Sequence, residues 1–142
     1  MKKWQFYLLS FTWGLPMTLV GIIVGAVLIA AGKKPERWGA CWHFKVGKKW
    51  GGLELGVVFL TDETPSTHTK NHEHGHAIQN CYLGFLMPFV VCIPSAIRYW
   101  YREMKYNRKG LKPPTKYDDI WFEGNATKIG TIYATKWNAE AN

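Results

Sequence analysis

Two long uncharged stretches dominate the pattern of hydrophobic and polar residues along the chain. The first runs from Phe6 to Ala31, 26 residues, and pairs of lysines flank it on both sides. A straight helix of that length would measure about 39 Å, more than the roughly 30 Å thickness of a bilayer's hydrocarbon core. The apolar centre of a signal peptide is shorter, about 7 to 15 residues. The pattern therefore predicts one N-terminal transmembrane helix, within an anchor comprising residues 1–32.

The second uncharged stretch extends from Ala77 to Ile97, and residues 81–97 are its most apolar part. Pro88 and Pro94 interrupt a helix there, and Gly84 weakens it. The segment is therefore either a second membrane segment, a re-entrant segment or a kinked core helix. Basic residues lie on both of its flanks, so the positive-inside bias favours one full span, with everything after residue 32 cytoplasmic at a bacterial-type cell membrane.

Between these stretches the pattern changes to short β-like segments. Residues 40–46 and 53–60 are predicted strands, and the glycine- and lysine-containing segment 47–52 is the turn region between them. Together they predict a hairpin or a small sheet.

The remaining predicted elements are helices. A polar loop leads into a helix over residues 71–82, with Ser66, Thr67 or Thr69 as the N-cap. After the break at Pro113 and Pro114, residues 117–133 are predicted to form a last helix with one inward face, and residues 136–142 to be frayed. The predicted fold is an α+β membrane protein, with a zincin-like minimal core in residues 33–142.

Charge and composition narrow the choice of partners. The net charge is +8, and 15% of the residues are aromatic. Basic residues beside aromatic ones suit nucleic acid, but basic residues that border apolar segments are explained more economically by anionic lipid head groups. Membrane lipid is therefore the expected partner, and nucleic acid is not. The three cysteines have no CxxC spacing, which argues against a cysteine zinc site.

Gly21 and Gly25 form a GxxxG pair within the first stretch. Small residues spaced in this way allow two membrane helices to approach closely. The pair predicts a possible homodimer.

The chemistry is concentrated in the segment from Asn71 to His76, which contains the HExxH pattern. On a helix His72 and His76 lie one turn apart, so both imidazoles project from the same face and can bind one Zn²⁺ ion. Glu73 is next to that face and is the candidate general base, because a zinc-bound water has a pKa near 7. A histidine-rich turn that binds metals adventitiously is the alternative, since His68 and His74 are close by.

Catalytic zinc has three protein ligands and an open fourth position. Glu123 is the predicted third ligand, because the small residues Gly124 and Ala126 beside it allow a close approach to the first helix. Asp118, Asp119 and His68 are the alternatives.

Further positions are candidates for supporting roles. Gln79, nearly one turn beyond the motif, is a candidate for holding a ligating histidine through a hydrogen bond. His74 and Asn125 are candidate oxyanion donors, as are His68 and Tyr133.

Several of these motifs together resemble a known group of proteins. The segment from His72 to Gln79, preceded by Leu53 to Gly56 and followed by Gly84, Ile93 to Ser95 and Glu123 to Ala126, resembles small bacterial membrane proteins with an HEYGH-type motif. More distantly, HExxH followed by ExxA is similar to the gluzincin metallopeptidases, which include membrane-bound enzymes. The resemblance implies His72, His76 and Glu123 as zinc ligands and Glu73 as base.

The sequence therefore favours a membrane-anchored zinc metallopeptidase that hydrolyses peptide bonds near the membrane surface. Its implied partners are a peptide or protein substrate, Zn²⁺ and membrane lipid. The alternatives are an inactive zincin-like scaffold and a basic protein that binds lipid or nucleic acid.

Overall fold

A computed structural model describes all residues from 1 to 142. The fold is α+β, with five α-helices and one mixed four-stranded sheet. In chain order the elements are α1 (Lys3–Ser10), α2 (Leu15–Ala30), β1 (Glu36–Trp38), β2 (Cys41–Lys45), β3 (Gly52–Leu55), β4 (Val58–Thr61), α3 (Thr67–Leu83), α4 (Ile93–Lys105) and α5 (Trp121–Ala141). Short 3-10 or π turns occupy Gly84–Leu86, Pro88–Cys92, Asn107–Lys109 and Tyr117–Asp119.

The prediction that one N-terminal helix crosses the membrane by itself is wrong. The first uncharged stretch is divided into α1 and α2, which meet at 92°. No single helix of the chain has both the length and the apolar character to cross a membrane, although two bent helix pairs have both when each pair is taken together. Phe6 of α1 is fully buried and packs into the same core as the sheet and Trp137, so the first 32 residues share the core of the rest of the chain.

The sheet has the strand order β1-β2-β4-β3. The segment 53–60, predicted as one strand, is divided into β3 and β4, which pair as an antiparallel hairpin around Gly56. Gly56 has a φ of 70°, which favours glycine at this turn. β2 pairs with β4 in parallel, and β1, which the sequence pattern did not indicate, pairs with β2. Strand β3 therefore lies at one edge of the sheet.

Helix α3 carries the HExxH segment. Ser66 caps its N-terminus, since the side chain accepts a hydrogen bond from the Thr69 backbone nitrogen at 3.1 Å. Every residue from Asn71 to Cys81 is buried, so the motif lies inside the protein.

The chain bends by 115° after α3, across the 3-10 and π turns that contain Gly84 and Pro88. The predicted interruption of the second apolar stretch is confirmed. Helix α4 begins beyond this bend, and none of its residues is fully buried.

Helix α5 is longer than predicted and includes most of the residues expected to be frayed. Trp137, 1% exposed, fixes its C-terminal half in the core. Helices α3 and α5 cross closely at two glycines. A Cβ atom on Gly75 would lie 1.8 Å from the Ala126 carbonyl oxygen, and one on Gly130 would lie 1.8 Å from that of Asn71.

The GxxxG pair of α2 packs within the chain. A Cβ atom on Gly21 would lie 1.9 Å from the carbonyl oxygen of Leu55, and one on Gly25 would lie 3.3 Å from the ring of Phe44. The close approach expected of this pair is therefore made to the protein's own sheet, and a homodimer through it stays a prediction.

Candidate metal centre

Three side chains converge between α3 and α5. The Nε2 atoms of His72 and His76 each lie 3.0 Å from Oε2 of Glu123 and 3.1 Å from each other. All three residues are buried. Ligands of tetrahedral zinc, each about 2.0 to 2.1 Å from the ion, are separated by about 3.3 Å. The observed triangle has nearly this size, so the predicted ligand set forms a cluster that could hold a metal ion.

The contacts of His76 determine which ring nitrogen carries the proton when the imidazole is neutral. Nδ1 of His76 lies 2.7 Å from Oε1 of Gln79, whose Nε2 donates to the backbone carbonyl of Phe122 at 2.8 Å and to Asn125. Because a carbonyl oxygen only accepts, this contact determines which end of the Gln79 amide faces His76. The amide oxygen must then accept a hydrogen bond from Nδ1–H. Neutral His76 therefore presents the lone pair of Nε2 to the cluster.

The same reasoning applies to His72. Its Nδ1 lies 2.8 Å from the hydroxyl of Thr127, and that hydroxyl donates its only proton to Oδ2 of Asp118 at 2.7 Å. The Thr127 oxygen must therefore accept from Nδ1–H of His72. The lone pair of Nε2 in neutral His72 also faces the cluster.

The third member, Glu123, is anionic. Burial raises the pKa of this carboxyl, but hydrogen bonds from His72, His76 and Ser95 outweigh burial and hold the pKa below its usual value. An imidazole that donates to Glu123 carries a proton on Nε2 as well as on Nδ1. Burial lowers the pKa of His76, but its contacts with the carboxylates of Glu123 and Glu73 outweigh burial and raise that pKa to about 9. A metal ion would displace the proton from Nε2, and the two Nε2 lone pairs and the carboxylate oxygen could then serve as its ligands.

Gln79 is expected to matter for the metal although it does not ligate it. Replacing Gln79 with alanine removes the acceptor that orients His76, so zinc affinity should fall about 10- to 100-fold. Zinc competition with a chromophoric chelator measures this change. Asn125→Ala is the matched control, because it removes a neighbour of Gln79 and retains the bond to His76. Equal affinity of the two variants would contradict an orienting role.

The cluster opens onto a cleft of about 550 Å³. Glu73 lines this cleft beside His72 and His76. Its carboxylate packs against the backbone of β3, since a Cβ atom on Gly52 would lie 2.5 Å from Cγ and Oε1 of Glu73. The cleft is therefore lined by His72 and His76, by the candidate base Glu73 and by the edge strand.

Two cleft residues were not identified from the sequence. Ser95 donates a hydrogen bond to Oε1 of Glu123, and the Tyr117 hydroxyl lies 3.3 Å from the Ser95 hydroxyl. Ser95 belongs to the second apolar stretch, and no polar spacing links it to Glu123. For Thr127, by contrast, a signal existed, because it lies one helical turn after Glu123 on α5.

Most of the candidate oxyanion donors lie away from the cleft. His74 accepts a hydrogen bond from the Ala40 backbone nitrogen and packs against Phe6 and Trp137, so it belongs to the core. The side-chain oxygen of Asn125 accepts a hydrogen bond from Gln79. Tyr133 lies 3.0 Å from the N-terminal amine. Of these candidates, only His68 lines the cleft.

Glu54 is a further buried acid beside the cluster. It is 4% exposed, Oε1 accepts from the Gly56 backbone nitrogen, and Oε2 has no partner. Burial raises the pKa of this carboxyl to about 8. Glu54 is therefore protonated near neutral pH in the folded protein.

This shift predicts a pH dependence of stability. In the unfolded chain Glu54 ionises near its ordinary pKa, so its stabilising contribution is complete at low pH and is lost as the pH rises towards about 8. In that window the free energy of unfolding should fall by up to about 1.4 kcal/mol per pH unit because of this group. Denaturant titrations of metal-free protein from acid to pH 8 should show a shallower slope for Glu54→Gln than for the wild type. Parallel slopes would contradict the assignment.

Comparison with models of protein families, with curated proteins and with solved structures finds no match to this chain.

Proposed function

We propose that this chain is a zinc-dependent metallopeptidase that hydrolyses peptide bonds at a membrane surface. The observation that carries the proposal is the convergence of the Nε2 atoms of His72 and His76 on the Glu123 carboxylate, at the wall of an open cleft. Zinc is favoured as the metal because two imidazoles and one carboxylate are a known catalytic zinc set.

The number of ligands supports a catalytic site over a structural one. Structural zinc sites have four protein ligands and are closed, whereas catalytic sites retain an open position for water. The cluster supplies three ligands, from His72, His76 and Glu123, and its residues His72 and His76 reach the cleft.

The reaction assigned to the site is hydrolysis assisted by Glu73. Bound zinc supplies a Lewis acid and lowers the pKa of water to about 7. Glu73 accepts the proton of the attacking water and transfers it to the leaving amine. Its position between the ligand helix and Gly52 is suited to both transfers, because the carboxylate faces the cleft from the side of the edge strand.

The edge strand is proposed to hold the substrate. An extended peptide can add to an exposed sheet edge through backbone hydrogen bonds, and β3 is an edge strand that lines the cleft. Tyr117, which lines the cleft near Ser95, is the proposed donor to the developing oxyanion. It replaces His74 and Asn125 in this role.

Membrane location is part of the proposal. Helix α2 exposes large apolar side chains, among them Ile23 and Val27, at 57% and 63%. Such a surface in water marks a site of contact with lipid or protein. We assign it to a bacterial-type cell membrane, with the cleft on the cytoplasmic side, following the charge pattern.

Metal analysis tests the proposal. Full-length protein purified in detergent should contain one zinc per chain and cleave members of a quenched-fluorescence peptide library. A chelator should abolish cleavage, and added zinc should restore it. The His72→Ala, His76→Ala double variant should lack both zinc and activity. Zinc without any cleavage would indicate a scaffold, and absence of zinc would overturn the proposal.

A further inference from the structure

Helix α4 has an unusual relation to the rest of the protein, because its apolar face points outwards. Ile93, Ile97, Trp100 and Met104 follow one another at spacings of three or four residues, so they form a single stripe along the helix. All four are exposed, at 51%, 65%, 53% and 61%. A helix of a water-soluble domain would turn this stripe inwards.

The opposite side of α4 is bound to the protein through polar contacts. Arg98 donates to the backbone carbonyls of Tyr117 and Lys116 at 2.6 and 3.1 Å, and Arg102 donates to that of Thr115 at 2.8 Å. The orientation of α4 is thereby determined by its arginines. Isolated helices of fewer than about 12 to 15 residues are marginal in water, so this 13-residue helix needs a surface for its apolar stripe.

The charges around α4 identify that surface. From Arg98 to Lys112 the chain contains six basic residues and one acidic residue, Glu103. Aromatic side chains alternate with the basic ones, as in Tyr101, whose hydroxyl lies 2.7 Å from Nζ of Lys105. An apolar stripe bordered by tyrosine, tryptophan and basic residues is typical of helices that lie in the interface of an anionic bilayer.

We infer that α4 lies in the plane of the membrane, with the stripe of Ile93, Ile97, Trp100 and Met104 inserted among anionic lipids. The observations do not involve the metal, so the inference is independent of the proposed peptidase activity. Trp100 and its neighbour Tyr99 also line the cleft. The mouth of the cleft is thus brought to the lipid surface.

Fluorescence quenching tests this inference on the full-length chain. Single cysteines are introduced by Ile97→Cys or Met104→Cys, in protein whose half-buried Cys92 is replaced by alanine, and are labelled with an environment-sensitive dye. The matched control is Ile132→Cys on α5, because Ile132 is 56% exposed. Near-ultraviolet circular dichroism verifies that each labelled protein is folded.

In vesicles of phosphatidylcholine mixed with phosphatidylglycerol, lipids with a quencher on the acyl chain should quench the dye at positions 97 and 104 at least about threefold more than at 132. A chelator should not change this difference. Equal quenching at the three positions would overturn the inference. So would a blue shift at position 97 caused by an oligonucleotide alone, or by rising protein concentration alone, since these indicate nucleic acid or a second copy of the chain.

A charge-reduced variant tests the role of anionic lipid. Lys105→Gln, Arg108→Gln and Lys109→Gln together should reduce quenching at position 97 by at least about half, because each basic residue contributes roughly 1 kcal/mol near an anionic surface. The control is the exposed pair Lys128→Gln and Lys136→Gln on α5, which should leave quenching unchanged. An equal effect of the two variants would contradict a specific role of α4.

Discussion

Glu73→Gln is expected to reduce peptide hydrolysis by about 10²- to 10⁴-fold, the usual contribution of a general base. The amide has nearly the shape of the carboxylate but cannot accept the proton of the attacking water. Zinc content should stay at one per chain, because His72, His76 and Glu123 are unchanged. Initial rates on the peptide library and metal analysis of the same preparation measure the two effects.

Glu63→Gln is the matched control, since Glu63 lies in the exposed loop before α3. It should retain full activity. If Glu73→Gln retained the wild-type rate, Glu73 would not be the base. If it lost zinc as well as activity, the experiment would report on the metal site, and an isosteric Glu73→Met variant with its zinc measured would separate the two explanations.

Gly130→Ala is expected to destabilise the protein and to weaken the metal site. The added methyl group would collide with the Asn71 carbonyl oxygen, so α5 must move away from α3. Overpacking of this kind costs about 1 to 3 kcal/mol, which for a chain of this length corresponds to a melting temperature lower by about 3 to 10 °C. Because α5 carries Glu123, zinc affinity should decrease in parallel.

Thermal unfolding with and without added zinc measures both effects. Gly51→Ala is the matched control, since a Cβ atom there meets nothing within 4 Å. A melting temperature of Gly130→Ala equal to that of Gly51→Ala would show that the two helices can separate without cost. The close crossing would then not be what brings Glu123 to the histidines.

The Glu73→Gln and Gly130→Ala predictions concern different parts of the candidate metal centre and its supporting helices. The Glu73 prediction concerns the cleft, whereas the Gly130 prediction concerns the contact between α3 and α5. Gly130 lies 54 residues after His76, the last residue of the HExxH motif. Measuring stability and metal content together distinguishes the two effects. The histidine variants should lose zinc but stay folded, whereas Gly130→Ala should lose both stability and zinc.

Several predictions from the sequence depended on local geometry, and these agree with the structure. His72 and His76 lie on one face of a helix because four residues are close to one turn. The Ser66 cap and the interruption near Pro88 are likewise encoded within a few residues. The prediction that Glu123 lies beside the histidines also agrees with the structure, although His72 and Glu123 are 51 residues apart in the chain. The signal for that approach was the pair of small residues beside Glu123, and one of them, Ala126, does lie against Gly75 of α3.

Other features depended on what each segment packs against. The uncharged run from Phe6 to Ala31 has the same composition whether it is straight or bent, and its 92° bend accompanies the packing of Phe6 into the core. The division of segment 53–60 into β3 and β4 follows from a turn at Gly56 that strand propensity does not reveal. Residues 136–141 form helix because Trp137 is buried in a core contributed by distant segments.

The sequence by itself determined the helix that carries the candidate ligands, its two histidines and the candidate base beside them, because these follow from the spacing of neighbouring residues. Only the tertiary structure decided which imidazole nitrogens face Glu123, that Ser95 and Tyr117 border the cluster, and that the apolar stripe of α4 faces outwards. Those features depend on hydrogen bonds between residues far apart in the chain, such as Gln79 to Phe122 and Arg98 to Tyr117. The spacing of apolar residues indicates that a helix has an apolar and a polar face, whereas contacts with the rest of the fold decide which face is turned inwards.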